Sequence, residues 1–311
     1  MDLIRETLQH LRFGPETTFE KLTMYPLLNG GGHSPDYLTL RQAIGSGTLR
    51  ITEVSEGGSV PQLSIANEGA QPVLIIDGEE LVGAKQNRVV NVSILVPAKR
   101  VIPIPVSCVE RGRWSYRSRD FSASQHHIYA AARARHMSNV TGSLRSAGTR
   151  DANQRAVWLG ISEKMASLGA QSPTEAMSDI YERHLSSIED YVRAFRPAAG
   201  QVGAVFAIGG RPFGLDIFDS SEPFEALLDK LVRSYALDAI DTSGERAATQ
   251  EPQPPGDFLA AVTGAKAETY PAVGLGEDVR LEGANVVGAA LVADGRIVHL
   301  SAFRSSESTK S

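Results

Sequence analysis

The chain has 311 residues, a formal net charge of −5 at pH 7, 42% hydrophobic and 22% charged residues. Its length exceeds the roughly 100–200 residues of a typical domain, so one large domain or two packed ones are open and a sizeable core is available. The ordinary composition excludes global disorder, and the mild negative charge argues against a general nucleic-acid binder, which concentrates Lys and Arg against phosphates.

The amino terminus, Met1-Asp-Leu-Ile-Arg-Glu-Thr-Leu8, carries acids and lacks the apolar centre of a signal peptide. No run approaches the ~18 apolar residues of a membrane span, so the expectation is a cytoplasmic protein without a membrane partner. The single cysteine, Cys108, makes no internal disulfide and supplies at most one thiolate to a metal. That fits a reducing compartment.

In chain order, Ser34-Pro35-Asp36 predicts a cap and first-turn proline for a helix through Leu38, Leu40 and Ile44 that stops at Gly45 or Gly47. Short β-like segments follow at Leu49 to Val54, Val60 to Ala66, Val73 to Ile76, Val89 to Val96 and Val101 to Cys108, with turns at Gly57-Gly58 and Asn67-Glu68-Gly69. They predict an antiparallel sheet or small sandwich. Gln125 to Arg135 is Ala-rich and basic, and Ser138 to Arg150 reads as a mobile polar loop. Helical periodicity resumes at Asp151 through Val157, Ile161, Met165 and Leu168. After Ser172-Pro173 a long face runs from Met177 through Ile180, Tyr181, Leu185, Ile188 and Val192.

Val202 to Phe218 aligns without a gap onto Val287 to Phe303, and both read as hairpins turning at Gly209-Gly210 and Asp294-Gly295. Two readings are open: equivalent strand pairs in one sheet, or convergence on hairpin chemistry, since such turns favour Gly at positive φ. Between them lie a helix from Glu222 to Ile240, capped by Asp219, and a charged, proline-rich linker from Asp241 to Gly256. The expected fold class is α+β, with antiparallel sheet or sandwich regions, a central pair of helices and a C-terminal αβ part. A linear division is 1–135, 150–200 and 201–311, with one continuous domain also open.

The densest polar sequence is Asp77 to Asn91, where acids, amides, a lysine and an arginine crowd between apolar strands. Glu79 and Glu80 are adjacent, so on a strand they face opposite sides and cannot form one carboxylate pair. Lys85, Gln86, Asn87 and Arg88, with Asn91, offer donors suited to a phosphate, carboxylate or amide-bearing ligand, against a plain reading as a solvated turn. Cys108 ends an apolar strand, and Glu110, Arg113 and Trp114 follow it. A cysteine-phosphatase loop places five residues between the nucleophile and its arginine; here Arg113 arrives one residue early, which favours a buried structural cysteine. Arg113 and Trp114 remain candidates for ion pairing and stacking. His33 and the adjacent His126-His127 suggest surface roles and no metal site, since no helical metal spacing supports them. Asp216 is a minor candidate at a strand end. No phosphate loop, dinucleotide fingerprint or nucleophile elbow is present.

Four motifs, Gly78-Glu-Glu-Leu-Val-Gly-Ala-Lys-Gln-Asn-Arg88, Val106-Ser-Cys-Val-Glu-Arg-Gly-Arg-Trp114, Leu231-Val-Arg-Ser-Tyr-Ala-Leu-Asp238 and Val298-His-Leu-Ser-Ala-Phe303, span most of the chain. Together they resemble the family named for its association with ADP-ribosylglycohydrolases and the rhodanese-phosphatase superfamily. That resemblance implies a link to NAD and ADP-ribose metabolism, drawn mainly through neighbouring genes, without a catalytic set or cofactor to carry over. Two expectations follow. The first is a cytosolic protein that binds or processes an ADP-ribose or NAD-derived phosphorylated metabolite. In an enzymatic version, Glu80 or Glu110 serves as acid or base beside Lys85 and Arg88. The second is a noncatalytic interaction protein, a homo-oligomer included, whose polar motif is a buried hydrogen-bond network.

Overall fold

In the computed structural model, residues 2–29, 34–241 and 251–305 are described. The fold is α+β, and the chain divides into two compact units. Unit 1 comprises residues 1–35, 190–271 and 276–311, and unit 2 comprises 36–189 with 272–275. His33 and most of the proline-rich linker lie outside the described residues.

Unit 1 opens with α1 (Asp2–His10), β1 (Arg12–Phe13), β2 (Thr17–Phe19) and β3 (Leu22–Leu28). Unit 2 follows with β4 (Leu38–Thr39), α2 (Leu40–Gly45), β5 (Leu49–Glu53), β6 (Gln62–Asn67), β7 (Val73–Ile75), β8 (Glu79–Gly83), β9 (Arg88–Val90), β10 (Ile94–Val96), β11 (Arg100–Cys108) and β12 (Phe121–His127). It continues through α3 (Ala130–Ala147), α4 (Gln154–Ser167) and α5 (Met177–Arg183). After α6 (Leu185–Ala194), which straddles the division, come β13 (Gln201–Ile208), β14 (Arg211–Phe218), α7 (Ser221–Ile240), α8 (Pro255–Thr263), β15 (Lys266–Pro271), β16 (Glu277–Glu282), β17 (Val286–Ala293) and β18 (Arg296–Arg304).

Unit 1 is an antiparallel sheet in the order β1-β3-β13-β14-β18-β17-β16-β15, with β2 also on β3. Its two hairpins are equivalent strand pairs in that one sheet. β14 pairs β18 through Asp216↔Ser301, which are each other's equivalents in the ungapped alignment, and through the reciprocal pairs Gly214↔Phe303 and Phe218↔His299. The bulges recur at matching places, Phe206/Ala207 and Leu291/Val292. The correspondence extends outward at one constant offset: Arg12↔Leu28 and Phe13↔Leu27 recur as Lys266↔Glu282 and Ala267↔Leu281. Ile4 and Leu8 of α1 correspond at that same offset to Phe258 and Val262 of α8, and all four share one core. Unit 1 is thus two copies of a helix and an antiparallel meander around an approximate dyad. Unit 2 interrupts the first copy at the point where the second makes the short Glu282–Val286 turn.

α1 and α8 cover one face of this sheet with Leu27, Val205, Leu215 and Leu300. On the other face, Tyr235 of α7 stacks on Phe206 at 4.2 Å. Asp216, at the dyad, is fully buried. Tyr235 Oη donates to its Oδ2 at 3.2 Å, and His299 Nε2 lies 3.3 Å from its Oδ1, so this carboxylate is tied into the sheet–helix seam.

Unit 2 holds a three-stranded sheet, β10-β7-β4, and a six-stranded antiparallel sheet, β12-β8-β9-β11-β6-β5. Several local expectations need correction. The helix expected through Leu38 is α2 and begins at Leu40, because Leu38 and Thr39 pair in parallel with Val73 and Leu74. Thr39 caps it, with its backbone N–H donating to Gln42 Oε1 at 2.8 Å. Val89 to Val96 is two strands in different sheets, since Asn91 and Ser93 turn away to polar partners between them. The polar stretch 138–150 is mostly α3, whose Met137, Val140 and Leu144 pack inward at helical spacing before Gly148 closes it at φ 67°. The long helix breaks at His184 into α5 and α6. Asp219 does not cap α7: its carboxylate accepts from Arg296 Nε at 3.0 Å, and Ser220 holds the cap position.

Candidate functional site

The site forms where β8, β9 and β11 lie side by side. Arg88 pairs with Leu81 on one flank and Cys108 on the other, so these three side chains share one face. That register joins the Asp77–Asn91 stretch to the Cys108–Trp114 stretch. Arg88 is fully buried and ranks among the largest such side chains. Its Nη1 donates to Gln86 Oε1 at 2.8 Å, while Nε and Nη2, both buried, have no hydrogen-bond partner among the described residues. The guanidinium lies 5.5 Å from the Trp114 ring centroid. Burial pushes its pKa down, and Cys108, Glu53 and Glu110 act in the opposite sense.

Beside it, Glu110 and Arg113 form a closed pair. Glu110 Oε2 accepts from Arg113 Nη2 at 2.6 Å and from the Asn87 backbone N–H at 3.1 Å. Its Oε1 accepts from Thr174 Oγ1 at 3.0 Å and lies 3.7 Å from Arg117 Nη2. Arg113 also donates to Ala84 O at 2.7 Å, Ser115 O at 2.8 Å and Asn87 Oδ1 at 3.1 Å. Burial alone would raise the Glu110 carboxyl; the hydrogen bonds from Arg113, Asn87 and Thr174 outweigh it and hold the group below its ordinary range. A carboxylate so engaged fixes the 83–87 turn in place and has little capacity left to take a proton.

Glu53 ends β5 on the inward side of the Leu49-Ile51-Glu53 alternation. Oε1 accepts weakly from the Lys85 N–H at 3.4 Å, and Oε2, also buried, has no hydrogen-bond partner among the described residues. The turn that follows is closed by Gly58 N–H donating to Ser55 O at 2.9 Å. A Cβ on Gly58 (φ +75°) would sit 3.2 Å from the Trp114 ring and 3.3 Å from Glu53 Oε2, so the turn lies directly over that oxygen. Lys85 Nζ latches it by donating to Glu56 O at 2.6 Å and Gly57 O at 2.8 Å, and stands over the rings of Trp114 and Tyr116 at 5.4 and 5.1 Å. Both aromatic residues are about half exposed. An exposed cover of one turn, two aromatic rings and a lysine therefore overlies two buried charged groups with unused atoms.

The remaining candidates lie elsewhere. Glu80 pairs with Val89, so it faces the opposite side of the sheet from Arg88 and accepts from Ser124 Oγ at 2.8 Å. It cannot act on a ligand held by Arg88. Asn91 Oδ1 accepts from Ser107 Oγ at 2.9 Å and meets His136 Nε2 at 2.9 Å, while its amide donates to Arg150 O at 2.8 Å. Next to it, Arg133 of α3 pairs with Asp77 at 3.3 Å, both buried. This second network joins the sheet to α3. His126 and His127 are buried, against the expectation of a surface role, and His126 stacks on Tyr181 at 4.5 Å. Cys108 is fully buried, its thiol donates to Glu110 O at 3.3 Å, and burial pushes its pKa up, the reverse of an activated thiolate.

Sequence reasoning missed Glu53, Arg133 and His136. Glu53 carried a usable signal, a charged residue on the inward side of an alternating strand. Arg133 is in register with Met137, Val140 and Leu144, but the loop expected over Ser138 to Arg150 takes in Val140 and Leu144 and hides that period. Among the described residues no group of three or more His, Cys, Asp or Glu is arranged to hold a metal. A surface groove of about 460 Å³ between α1 and α8, lined by Arg5, Leu8, Gln9 and Leu259 among others, is mainly apolar and holds none of the candidate residues.

The chain thus carries a buried guanidinium with spare donors beneath an aromatic cover, on a β-rich unit inserted into a two-fold repeat. The sequence model of the ARG and Rhodanese-Phosphatase-superfamily-associated Protein domain matches residues 10–303, and the chain belongs to that family. No curated protein and no solved structure matches the chain. No helix among the described residues is long and apolar enough to cross a membrane.

Proposed function

We propose that unit 2 binds an anionic, phosphorylated metabolite of the ADP-ribose or NAD-derived class, with Arg88 as its anchor. The observation that carries this reading is the pair of buried, unpartnered N–H groups on Arg88. Leaving such donors unsatisfied costs roughly 1–3 kcal/mol each, more on a charged group, and folded proteins rarely accept that without a functional return. A phosphate presents acceptor oxygens in the geometry of a guanidinium edge. Trp114 and Tyr116 add flat surfaces on which a base stacks once Lys85 and the Ser55–Gly58 turn move aside. The resemblance to proteins associated with ADP-ribosylglycohydrolases points to the same ligand class. Binding is favoured over acid–base chemistry, because Glu110 is fully engaged and Glu80 faces away.

Calorimetric titration of the full chain with ADP-ribose, NAD and inorganic pyrophosphate tests it. Saturable heat with ADP-ribose or NAD is expected, accompanied by a rise in thermal stability from preferential binding to the folded state. Arg88→Met should abolish both. Absence of binding by the unmodified protein to any of the three at millimolar concentration overturns the proposal.

A further inference from the structure

Glu53 and Arg88 are opposite charges in one buried cluster, yet they do not neutralise each other as Glu110 and Arg113 do. No ion pair or hydrogen bond joins Glu53 to Arg88 among the described contacts, and each retains unused atoms: Oε2 on the carboxylate, Nε and Nη2 on the guanidinium. Both border the Trp114 ring: the guanidinium lies 5.5 Å from its centroid, and one Cβ position on Gly58 would touch the ring at 3.2 Å and Glu53 Oε2 at 3.3 Å. A buried acceptor and a buried donor set that sit near each other unpaired are complementary to a group that both donates and accepts. A bare anion satisfies only Arg88 and is repelled by Glu53. A phosphorylated sugar satisfies both, because its anionic oxygen accepts from the guanidinium and a neighbouring hydroxyl donates to the carboxylate.

We infer that Glu53 is a second ligand-binding residue of the Arg88 site, the acceptor for a ribosyl hydroxyl, and that the site selects sugar phosphates over bare phosphates. This rests on the ligand class proposed for Arg88. Gly58 borders the same place, so the turn that moves aside for a ligand uncovers both the carboxylate and the ring. A hydroxyl–carboxylate hydrogen bond there is charge-assisted and is worth about 1.5–3 kcal/mol, a selectivity of roughly ten- to a hundredfold.

The experiment is calorimetry with ADP-ribose and with inorganic pyrophosphate on the unmodified chain, Glu53→Met and Glu53→Gln, each with a thermal melt to confirm folding. Glu53→Met should weaken ADP-ribose at least tenfold while leaving pyrophosphate unchanged or tighter, since a repelling charge is gone. Glu53→Gln keeps an acceptor oxygen without the charge and should fall between. Opposite movement of the two ligands is a signature that a merely structural role or a bridging water would not give. If ADP-ribose binds all three proteins equally, or if both ligands weaken in parallel, the Glu53 inference is wrong while the Arg88 reading stands. If pyrophosphate and ADP-ribose both fail to bind the unmodified chain, both fall. Should Glu53→Met fail to fold, Glu53→Gln alone decides by whether the ADP-ribose to pyrophosphate preference drops.

Discussion

Unit 2 buries two glutamate–arginine pairs within one small region, and they are built on opposite principles. In Glu110–Arg113 every carboxylate oxygen is engaged and the ions meet at 2.6 Å. In Glu53–Arg88 the charges stay apart and keep atoms in reserve. The first pair locks the Gly83–Asn87 turn, and the second is held in position by that lock, through the Asn87 N–H on Glu110 and the Lys85 N–H on Glu53. The difference teaches that burial of charge alone does not mark a binding site. The proposed site differs in that carboxylate and guanidinium both keep buried atoms unpartnered among the described residues, next to a pair whose two carboxylate oxygens are both engaged.

The strongest way to break this contrast is to truncate each pair and compare stability. Glu110→Ala strands Arg113 without its counter-ion and should cost about 3–5 kcal/mol in chemical denaturation. Arg88→Met gives up one hydrogen bond, to Gln86, while the other two nitrogens it removes have no partner among the described residues, so the loss of stability should stay within about 1–2 kcal/mol. Equal losses in the two variants would remove the distinction between a structural and a ligand-binding pair.

Acidity separates the pairs next. The folded Glu110 carboxyl lies below its ordinary value of 4.5, so its contribution to stability is complete above that pH and is lost as pH falls through the lower folded value. A Glu110→Gln variant should therefore lack part of the acid limb of a stability–pH curve measured by urea midpoints. Cys108 has the opposite sign. Burial raises its thiol above the ordinary 9.0, so its contribution is present below that pH and declines above it, and Cys108→Ala should flatten the alkaline limb. An alkaline limb unchanged in Cys108→Ala would show that the thiol titrates alike in the folded and unfolded chains.

The smallest effect belongs to the cover. Lys85→Met gives up two backbone hydrogen bonds and two cation–π contacts at a half-exposed place, which should cost no more than about 1 kcal/mol in stability. It should nevertheless speed cleavage after Glu56 by a glutamate-specific protease, because the Ser55–Gly58 turn loses its latch. A cleavage rate equal to that of the unmodified protein would show that Lys85 does not hold the turn.

Much of the molecule was legible before folding. The hairpin similarity between Val202–Phe218 and Val287–Phe303 is a repeat of local turn and strand chemistry, and of the two readings open for it the sheet order bears out equivalent strand pairs in one sheet. Its outer half was not legible. Ile4, Leu8 and Leu27 share with Phe258, Val262 and Leu281 little beyond apolar character, and the inserted unit separates the two halves of the first copy. At the site, composition alone drew attention to Lys85, Gln86, Asn87, Arg88, Glu110, Arg113 and Trp114, since amides and charges between apolar strands have few structural uses. The elements misread, α3 and the break at His184, were those where polar surface residues mask an inward face or where one residue interrupts a good period.

The amino-acid sequence by itself determined the α+β class, the alternating strands, the hairpins and the crowded donors of the Asp77–Asn91 stretch, because these follow from side-chain periodicity and turn chemistry over a few residues. Only the tertiary structure decided which charges meet. Strand register set Glu80 on the opposite face, placed Cys108 beside Arg88, closed Glu110 onto Arg113, and brought Glu53 from a strand more than thirty residues earlier into the same buried cluster as Arg88. Hydrogen bonds and ion pairs act over a few ångströms in space, and distance along the chain carries almost no information about them.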